Sequence, residues 1–317
     1  MTQTLPTVDR LPGIWPAMLT PLRADGAIDH ERFVRHGLAL LASGCGGLTP
    51  FGTTGEGPSF SVAERIAAVD ALVAGGIPAE RLLVSTSACA LTDLIALTEH
   101  ATRIGAWGTM LMPPFFFKGM SDAGVVSVYE QVIAAARAVH AGLDAPQPLR
   151  LMLYHIPQVA GIGLTHGVIR ELLARHADIV VGVKDSQCQL AHSLSLLEAF
   201  APQLMVHVGN EPDLPELGRR GSTGAVSGLA NFIPRTVHRL VSQPDAPGTP
   251  GDLAHVQALL GALGGYALVP AFKGILALRD NDLGWLPVRA PLQALTPDDL
   301  PGLQATLAAA GHPQRPD

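Results

Sequence analysis

Lys184 ends an apolar, β-branched run, Ile179-Val-Val-Gly-Val-Lys-Asp-Ser186, in a chain where only three of 21 basic residues are lysines. Such a run reads as a strand buried on both faces, the pattern of a parallel sheet covered by helices. Lys184 then lies at the strand's carboxyl end, the edge where ligands meet parallel α/β folds, open or closed into a barrel. An amine held among apolar neighbours loses the solvation of its charged form. The lone pair this frees attacks a carbonyl to give a Schiff base. The alternative is a lysine that reaches solvent from the strand end or pairs with Asp185. Two other stretches carry residue types suited to the same chemistry. In Gly52-Thr53-Thr54-Gly55-Glu56 small residues expose successive backbone N–H groups beside two hydroxyls, which suits an anion such as a carboxylate. It also reads as a plain tight turn with threonines capping the next helix. Leu153-Tyr154-His155-Ile156-Pro157 offers a phenol, from one of only three tyrosines, that either relays protons or packs in the core with its hydroxyl satisfied. Alternation puts His155 on the strand's other face, where it reads as packed.

The elements that must position these residues recur along the chain. Strand-like runs are read at 13–20, 46–51, 81–86, 108–112, 149–156, 179–184, 204–208 and 224–227. Helical segments separate them: one starts at Asp29, a second opens with the capping box Ser61-Val-Ala-Glu64 and ends near Gly75, and a third opens at Thr92. Others open at Ser121 or Asp122 and run over 164–176, 189–200 and 212–219. Eight alternations in about 240 residues match an α/β fold of the (β/α)8 TIM-barrel type, whose strand ends share one pocket. An open doubly wound sheet is the alternative, but it lacks a strand-GxGxxG-helix unit. From about Ile233 the chain has helical period and no convincing strand. The expected organisation is a barrel with the active site over 1–240 and a C-terminal helical subdomain over 241–317, with 244–251 as a loop and a frayed end from His312.

Composition narrows the class of function. With 317 residues, 48% hydrophobic and 15% charged, the chain has a large core, and its net charge of −6 with scattered basic residues argues against a nucleic-acid surface. Small metabolites are the expected partners. The amino terminus has neither a basic region nor an apolar core, so no signal peptide is read. No apolar run reaches bilayer length; 133–143 is too short and carries Arg137 and His140. A cytoplasmic protein with no membrane partner is predicted. Cys45, Cys89 and Cys188 are odd in number and lack ligand spacing, which predicts buried reduced thiols. No His/Asp/Glu set recurs at metal-ligand spacing, so no metal is expected.

In order and spacing, the Gly-Thr-Thr-Gly-Glu turn, the Tyr154-x-x-Pro157 strand end and the Gly-Val-Lys184-Asp strand end resemble the dihydrodipicolinate synthase and N-acetylneuraminate lyase family. The resemblance covers nearly the whole chain, from Gly13 to the helical end. It implies a class I pyruvate-dependent aldolase on a TIM barrel with a helical carboxyl-terminal domain, needing no metal or organic cofactor. A homotetramer built as a dimer of dimers is implied too. By resemblance, Lys184 forms the Schiff base with pyruvate or another 2-oxo acid and Tyr154 shuttles protons. Thr53 and Thr54, in the turn with Gly52, hold the carboxylate, and Gly209 and Val226 line the pocket. Two positions depart from the synthases. Val159 stands where they carry an arginine that grips the aldehyde's carboxylate, and Phe115-Phe116-Phe117 stands where they carry a tyrosine that completes a hydroxyl relay. Val159 and Phe116 are therefore expected to shape the distal part of the pocket. The expected function is a Schiff-base lyase that cleaves or condenses pyruvate with an aldehyde, acting on a 2-oxo-3-deoxy sugar acid or related 2-oxo acid. A dehydratase or deaminase on the same iminium, 4-hydroxy-tetrahydrodipicolinate synthase itself, and a noncatalytic 2-oxo-acid binder are the alternatives.

Overall fold

Short apolar runs bounded by Gly, Pro and polar residues become strands when helices cover them on one side and their neighbours on the other. In the computed structural model, which describes residues 13–144 and 146–312, seven such runs are strands. They are β1 (Gly13–Pro16), β2 (Leu83–Ser85), β3 (Gly108–Leu111), β4 (Leu151–His155), β5 (Val180–Asp185), β6 (Met205–Val208) and β7 (Gly224–Ser227). All pair in parallel in the order β1-β7-β6-β5-β4-β3-β2. The tail read before Leu11 and the chain after His312 lie outside the described residues.

The expected strand at 46–51 is not formed as such. Instead Thr49 bridges to Ala17 and Leu48 to Leu82, both in parallel, so this segment ties the sheet edge at β1 to the edge at β2. Met18 N–H donates to Thr49 O at 3.0 Å, and Leu48 N–H donates to Arg81 O at 2.8 Å. The composition explains the irregularity: Pro50 has no N–H for a ladder, and a Cβ on Gly47 would collide with the Trp15 ring. The result is a seven-stranded, TIM-barrel-like parallel sheet whose remaining position is filled by an irregular connector.

Twelve helices follow the expected alternation among the described residues: α1 (His30–Ala42), α2 (Val62–Ala74), α3 (Leu91–Arg103), α4 (Asp122–His140), α5 (Pro157–Ala160), α6 (His166–His176), α7 (Leu190–Phe200), α8 (Leu214–Arg219), α9 (Pro234–Ser242), α10 (Thr249–Leu263), α11 (Leu268–Asp280) and α12 (Leu300–Ala309). Asp29 caps α1, Ser121 caps α4, and the Ser61/Glu64 capping box opens α2 as read. Thr92 does not cap α3; the N-cap is Ala90, which makes no side-chain bond. The loop expected over 244–251 is shorter, because Pro250 takes a first-turn position where its missing N–H costs nothing, and α10 begins at Thr249. The 240/241 boundary falls inside α9, and Leu240 and Val241 belong to one apolar cluster. No single described helix is long and apolar enough to cross a membrane; α10 and α11 reach that length only jointly and are bent by 113°.

Two apolar clusters sandwich the strands. The larger lies between strands and helices and includes Leu111, Leu153, Val183, Val206 and Val208. The smaller occupies the inner face and includes Trp15, Met110, Met152, Tyr154, Val181, Met205 and Val226. Strand β5 changes phase between them. Its register against β4 slips between Leu151, opposite Val180, and Met152, opposite Gly182, leaving Val181 as the extra residue of a bulge.

Candidate active site

Without the bulge, strict alternation from the inward Val181 would turn Val183 and Asp185 inward. With it, Val183 packs outward and Lys184 faces in, opposite Tyr154 on β4 and His207 on β6. Lys184 is 4% exposed, and its Nζ stands 4.4 Å from the centroid of the Tyr154 ring. Among the described residues its amine makes no hydrogen bond and no ion pair. Neither a solvent-reaching lysine nor a Lys184–Asp185 pair is therefore present. Asp185 points outward, accepting from Gln187 N–H at 2.9 Å, Ser193 Oγ at 2.7 Å and His192 Nδ1 at 2.9 Å.

The threonine turn meets this strand pair from the side. Thr53 Oγ1 and the Tyr154 hydroxyl are 3.1 Å apart, so one donates to the other. Thr54 Oγ1 is 3.4 Å from where a Cβ on Gly228 would stand, just past β7. Gly52 abuts the Met110 methyl of the inner cluster. Gly209 follows β6 so closely that an added Cβ would lie 3.1 Å from Lys184 Cε and collide with Ser186 Oγ. Val226, 1% exposed, shares the inner cluster with Tyr154. The structure thus brings together Lys184, Tyr154, Thr53, Thr54, Gly52, Gly209 and Val226. It does not bury the other two expected pocket residues: Phe116 is 72% exposed, against Phe117, and Val159 on α5 is 52% exposed. From that loop Phe115 packs against the inner cluster.

Several polar residues at the site were not singled out from sequence. Ser186 follows Lys184 by two residues, a spacing that strand alternation makes legible, and its N–H donates to His155 O at 2.9 Å. Glu211, 6% exposed, accepts from Ser227 Oγ at 2.6 Å and Leu229 N–H at 3.2 Å. His207 lies wholly buried beside Lys184 in register, its Nδ1 unpartnered, and burial holds its pKa down to about 4. His155 packs on the outer face as read. It stacks on His192 at 4.4 Å, its Nδ1 accepts from Leu164 N–H at 2.9 Å, and its Nε2 therefore carries the proton given to Gln187 at 2.7 Å. Burial lowers the pKa of His155, with Gln187 opposing. His155, Asp185 and His192 are close enough to share a cation, yet the hydrogen bonds named here account for their placement. The thiols differ from expectation: Cys45 is buried, but Cys89 and Cys188 are exposed. Partial burial, then the carboxylates Glu211, Asp213 and Asp185, raise the pKa of Cys188, with Lys184 opposing.

The Dihydrodipicolinate synthetase family model matches residues 10–310. An uncharacterized DapA-like lyase of Chloroflexus aurantiacus is 34% identical over 300 residues, covering 92% of this chain and 95% of its own. The crystal structure of dihydrodipicolinate synthase from Agrobacterium tumefaciens superposes with a TM-score of 0.84 at 30% identity, covering 94% of this chain and 99% of its own. YagE of E. coli, a dihydrodipicolinic acid synthase family protein solved with pyruvate, shares the fold with a TM-score of 0.84 at 23% identity over 95% of this chain and 99% of its own. This chain belongs to the dihydrodipicolinate synthetase family.

Proposed function

We propose that Lys184 forms a Schiff base with pyruvate or a related 2-oxo acid, and that the enzyme makes or breaks the carbon–carbon bond between that unit and an aldehyde. The carrying observation is the buried Lys184 amine, with no counter-ion among the described residues, over the ring of Tyr154, whose hydroxyl meets Thr53 at 3.1 Å. Backbone and hydroxyl groups of Gly52, Thr53 and Thr54 hold the carboxylate, so that the carbonyl carbon faces the amine and attack becomes effectively unimolecular. The amine adds to the carbonyl, and loss of water leaves an iminium. In the cleavage direction the bond between C3 and C4 breaks, its electron pair enters the iminium to give an enamine, and the C4 hydroxyl proton passes to the Tyr154–Thr53 pair. That pair returns a proton to C3, and water releases pyruvate. Gly209 leaves the space beside Lys184 Cε open, and Val226 closes the wall.

The remote end of the substrate is read as uncharged and hydroxylated, a 2-oxo-3-deoxy sugar acid. Val159 offers no cation, and Lys118, the nearest lysine of the neighbouring loop, is committed to the carbonyls of Phe115 and, at 3.0 Å, Ala160. A carboxylate left without a partner in a partly dry cleft loses several kcal/mol, and each ~1.4 kcal/mol is tenfold in kcat/KM. Within the same proposal, the resemblance supports a cytoplasmic homotetramer, with residues 241–317 as a helical subdomain braced on the barrel.

The test is to incubate the protein with pyruvate, reduce with borohydride and locate the modified residue by mass spectrometry. Labelling at Lys118 or Lys273, or none with any 2-oxo acid, sinks the reading. With saturating pyruvate, glyceraldehyde should exceed aspartate semialdehyde in kcat/KM, and Val159→Arg should shift preference toward the semialdehyde. A wild type that prefers the semialdehyde by orders of magnitude restores the synthase reading.

A further inference from the structure

We infer that the buried Glu56–Lys273 ion pair is a positioning device for carboxylate recognition, coupling α11 to the threonine turn; this rests on the reading that Thr53 and Thr54 hold the substrate's carboxylate. The turn is wound against backbone preference at both ends. Phe51 (φ 61°) and Glu56 (φ 56°) both take the left-handed conformation that favours glycine. Between and beside them the chain has no slack: a Cβ on Gly55 would meet Met18 O at 2.6 Å, and one on Gly57 would collide with Phe51 O. Thr20 Oγ1 clamps Gly55 O at 2.7 Å. An arrangement so unfavourable locally persists only when its surroundings over-determine it.

Those surroundings come from the far end of the chain. Lys273 Nζ donates to Glu56 Oε1 at 2.5 Å and to Pro287 O at 2.8 Å, and Arg289 N–H donates to Glu56 Oε2 at 3.0 Å. The Arg289 guanidinium continues to Ser59 O at 3.1 Å and Gly26 O at 2.6 Å. Both oxygens of Glu56 are thus held by residues 273–289, and the Glu56 and Lys273 side chains are 1% and 0% exposed. An apolar pair of the same volume would fill this space about as well, because desolvation offsets most of the attraction inside a core. A charged pair adds direction: it draws the Glu56 side chain toward α11 and so fixes the backbone that carries Thr53 and Thr54, three and two residues earlier. Substrate binding, on this account, reads the packing of α11.

The experiment compares wild type, Glu56→Gln and the double variant Glu56→Gln/Lys273→Met by borohydride trapping at graded concentrations of pyruvate and of methyl pyruvate, the ester without the negative charge. Glu56→Gln strands a buried lysine and risks unfolding, whereas the double variant removes both charges and serves as the folded test. The expected result is a half-saturating pyruvate concentration raised about tenfold or more, with maximal trapping rate and half-saturation for the ester within about threefold of wild type. A double variant that folds with unchanged pyruvate half-saturation overturns the inference, as do equal losses for pyruvate and ester, or failure of the double variant to fold; each marks the pair as structural only. If wild type traps no 2-oxo acid, the parent reading falls and this inference with it. If wild type traps normally and the variant matches it, the inference alone falls.

Discussion

Lys184 and Lys273 are both buried lysines, at 4% and 0% exposure, in a chain with one other lysine. Their surroundings assign them opposite tasks. Lys273 sits mid-helix in α11 with a carboxylate at 2.5 Å and a carbonyl at 2.8 Å. Burial pulls its pKa down while Glu56 opposes, and two of its three donor positions are taken by Glu56 and Pro287. Lys184 ends a strand, faces an aromatic ring and, among the described residues, has no anion to satisfy it. A buried amine with a partner holds structure; one without a partner is available to a carbonyl. Lys273 too stands among apolar neighbours, in Leu268-Val-Pro-Ala-Phe-Lys-Gly-Ile275, so burial alone does not separate the two lysines.

The largest expected effect lies on the Lys184 side. Lys184→Arg keeps the charge but not the nucleophile, and should lower turnover by about 10⁴ to 10⁶ with no trapped adduct. Residual turnover within tenfold of wild type would erase the contrast between the lysines. Next is Tyr154→Phe, expected to slow the reaction by roughly 10² to 10⁴ with the fold intact, as for a positioned proton-transfer group. Turnover near wild type together with a lowered Tm would make Tyr154 a core tyrosine only. On the other side, Lys273→Met should show in stability: it leaves the Glu56 carboxylate buried and unpaired, at a cost of about 3 to 5 kcal/mol in urea unfolding. A change under about 1 kcal/mol would mean that the pair is not holding α11 to the turn.

The smallest effect concerns pH. Burial holds His207, beside Lys184, and His36, beneath Trp285, down to about 4. An unfolded histidine titrates near 6.5, so between about pH 4 and 6.5 the unfolded chain binds protons that the folded one refuses. Stability is full above that window and falls as pH drops through it, by about 1.4 kcal/mol per pH unit for each histidine. His207→Leu should remove one histidine's share of the slope; at pH 8 it loses only the 3.3 Å contact between Nε2 and Thr223 Oγ1, worth about 1 kcal/mol, since Nδ1 has no partner among the described residues. Urea unfolding of both proteins at pH 5 and 8 measures this; an unchanged slope would mean that His207 titrates normally inside the barrel.

Much of the site was legible because its signals are local. The Ser61/Glu64 capping box, the strand ends at Tyr154 and Lys184 and the threonine turn each lie within a few residues. The irregular connector at 46–51 was not, since its apolar residues match a strand while Pro50 and the Trp15 ring against Gly47 interrupt the ladder. Nor was the partner of Lys273, which lies 217 residues away in sequence. Phe116 and Val159 illustrate the same limit: their apolar character was plain, but their exposure follows from how the loops after β3 and β4 lie.

By itself the sequence determined that Lys184 ends a buried parallel strand in a lysine-poor chain, because burial and periodicity are written in neighbouring side chains. Only the tertiary structure decided that Lys184, and not Asp185, faces the interior. Counting by twos from the inward Val181 selects Asp185; the bulge against β4 inserts one residue, reverses the phase and delivers the amine to Tyr154. The physical reason is that a strand's side-chain period is two, so a one-residue slip in pairing turns every later side chain over, and that slip is set by hydrogen bonds to neighbouring strands.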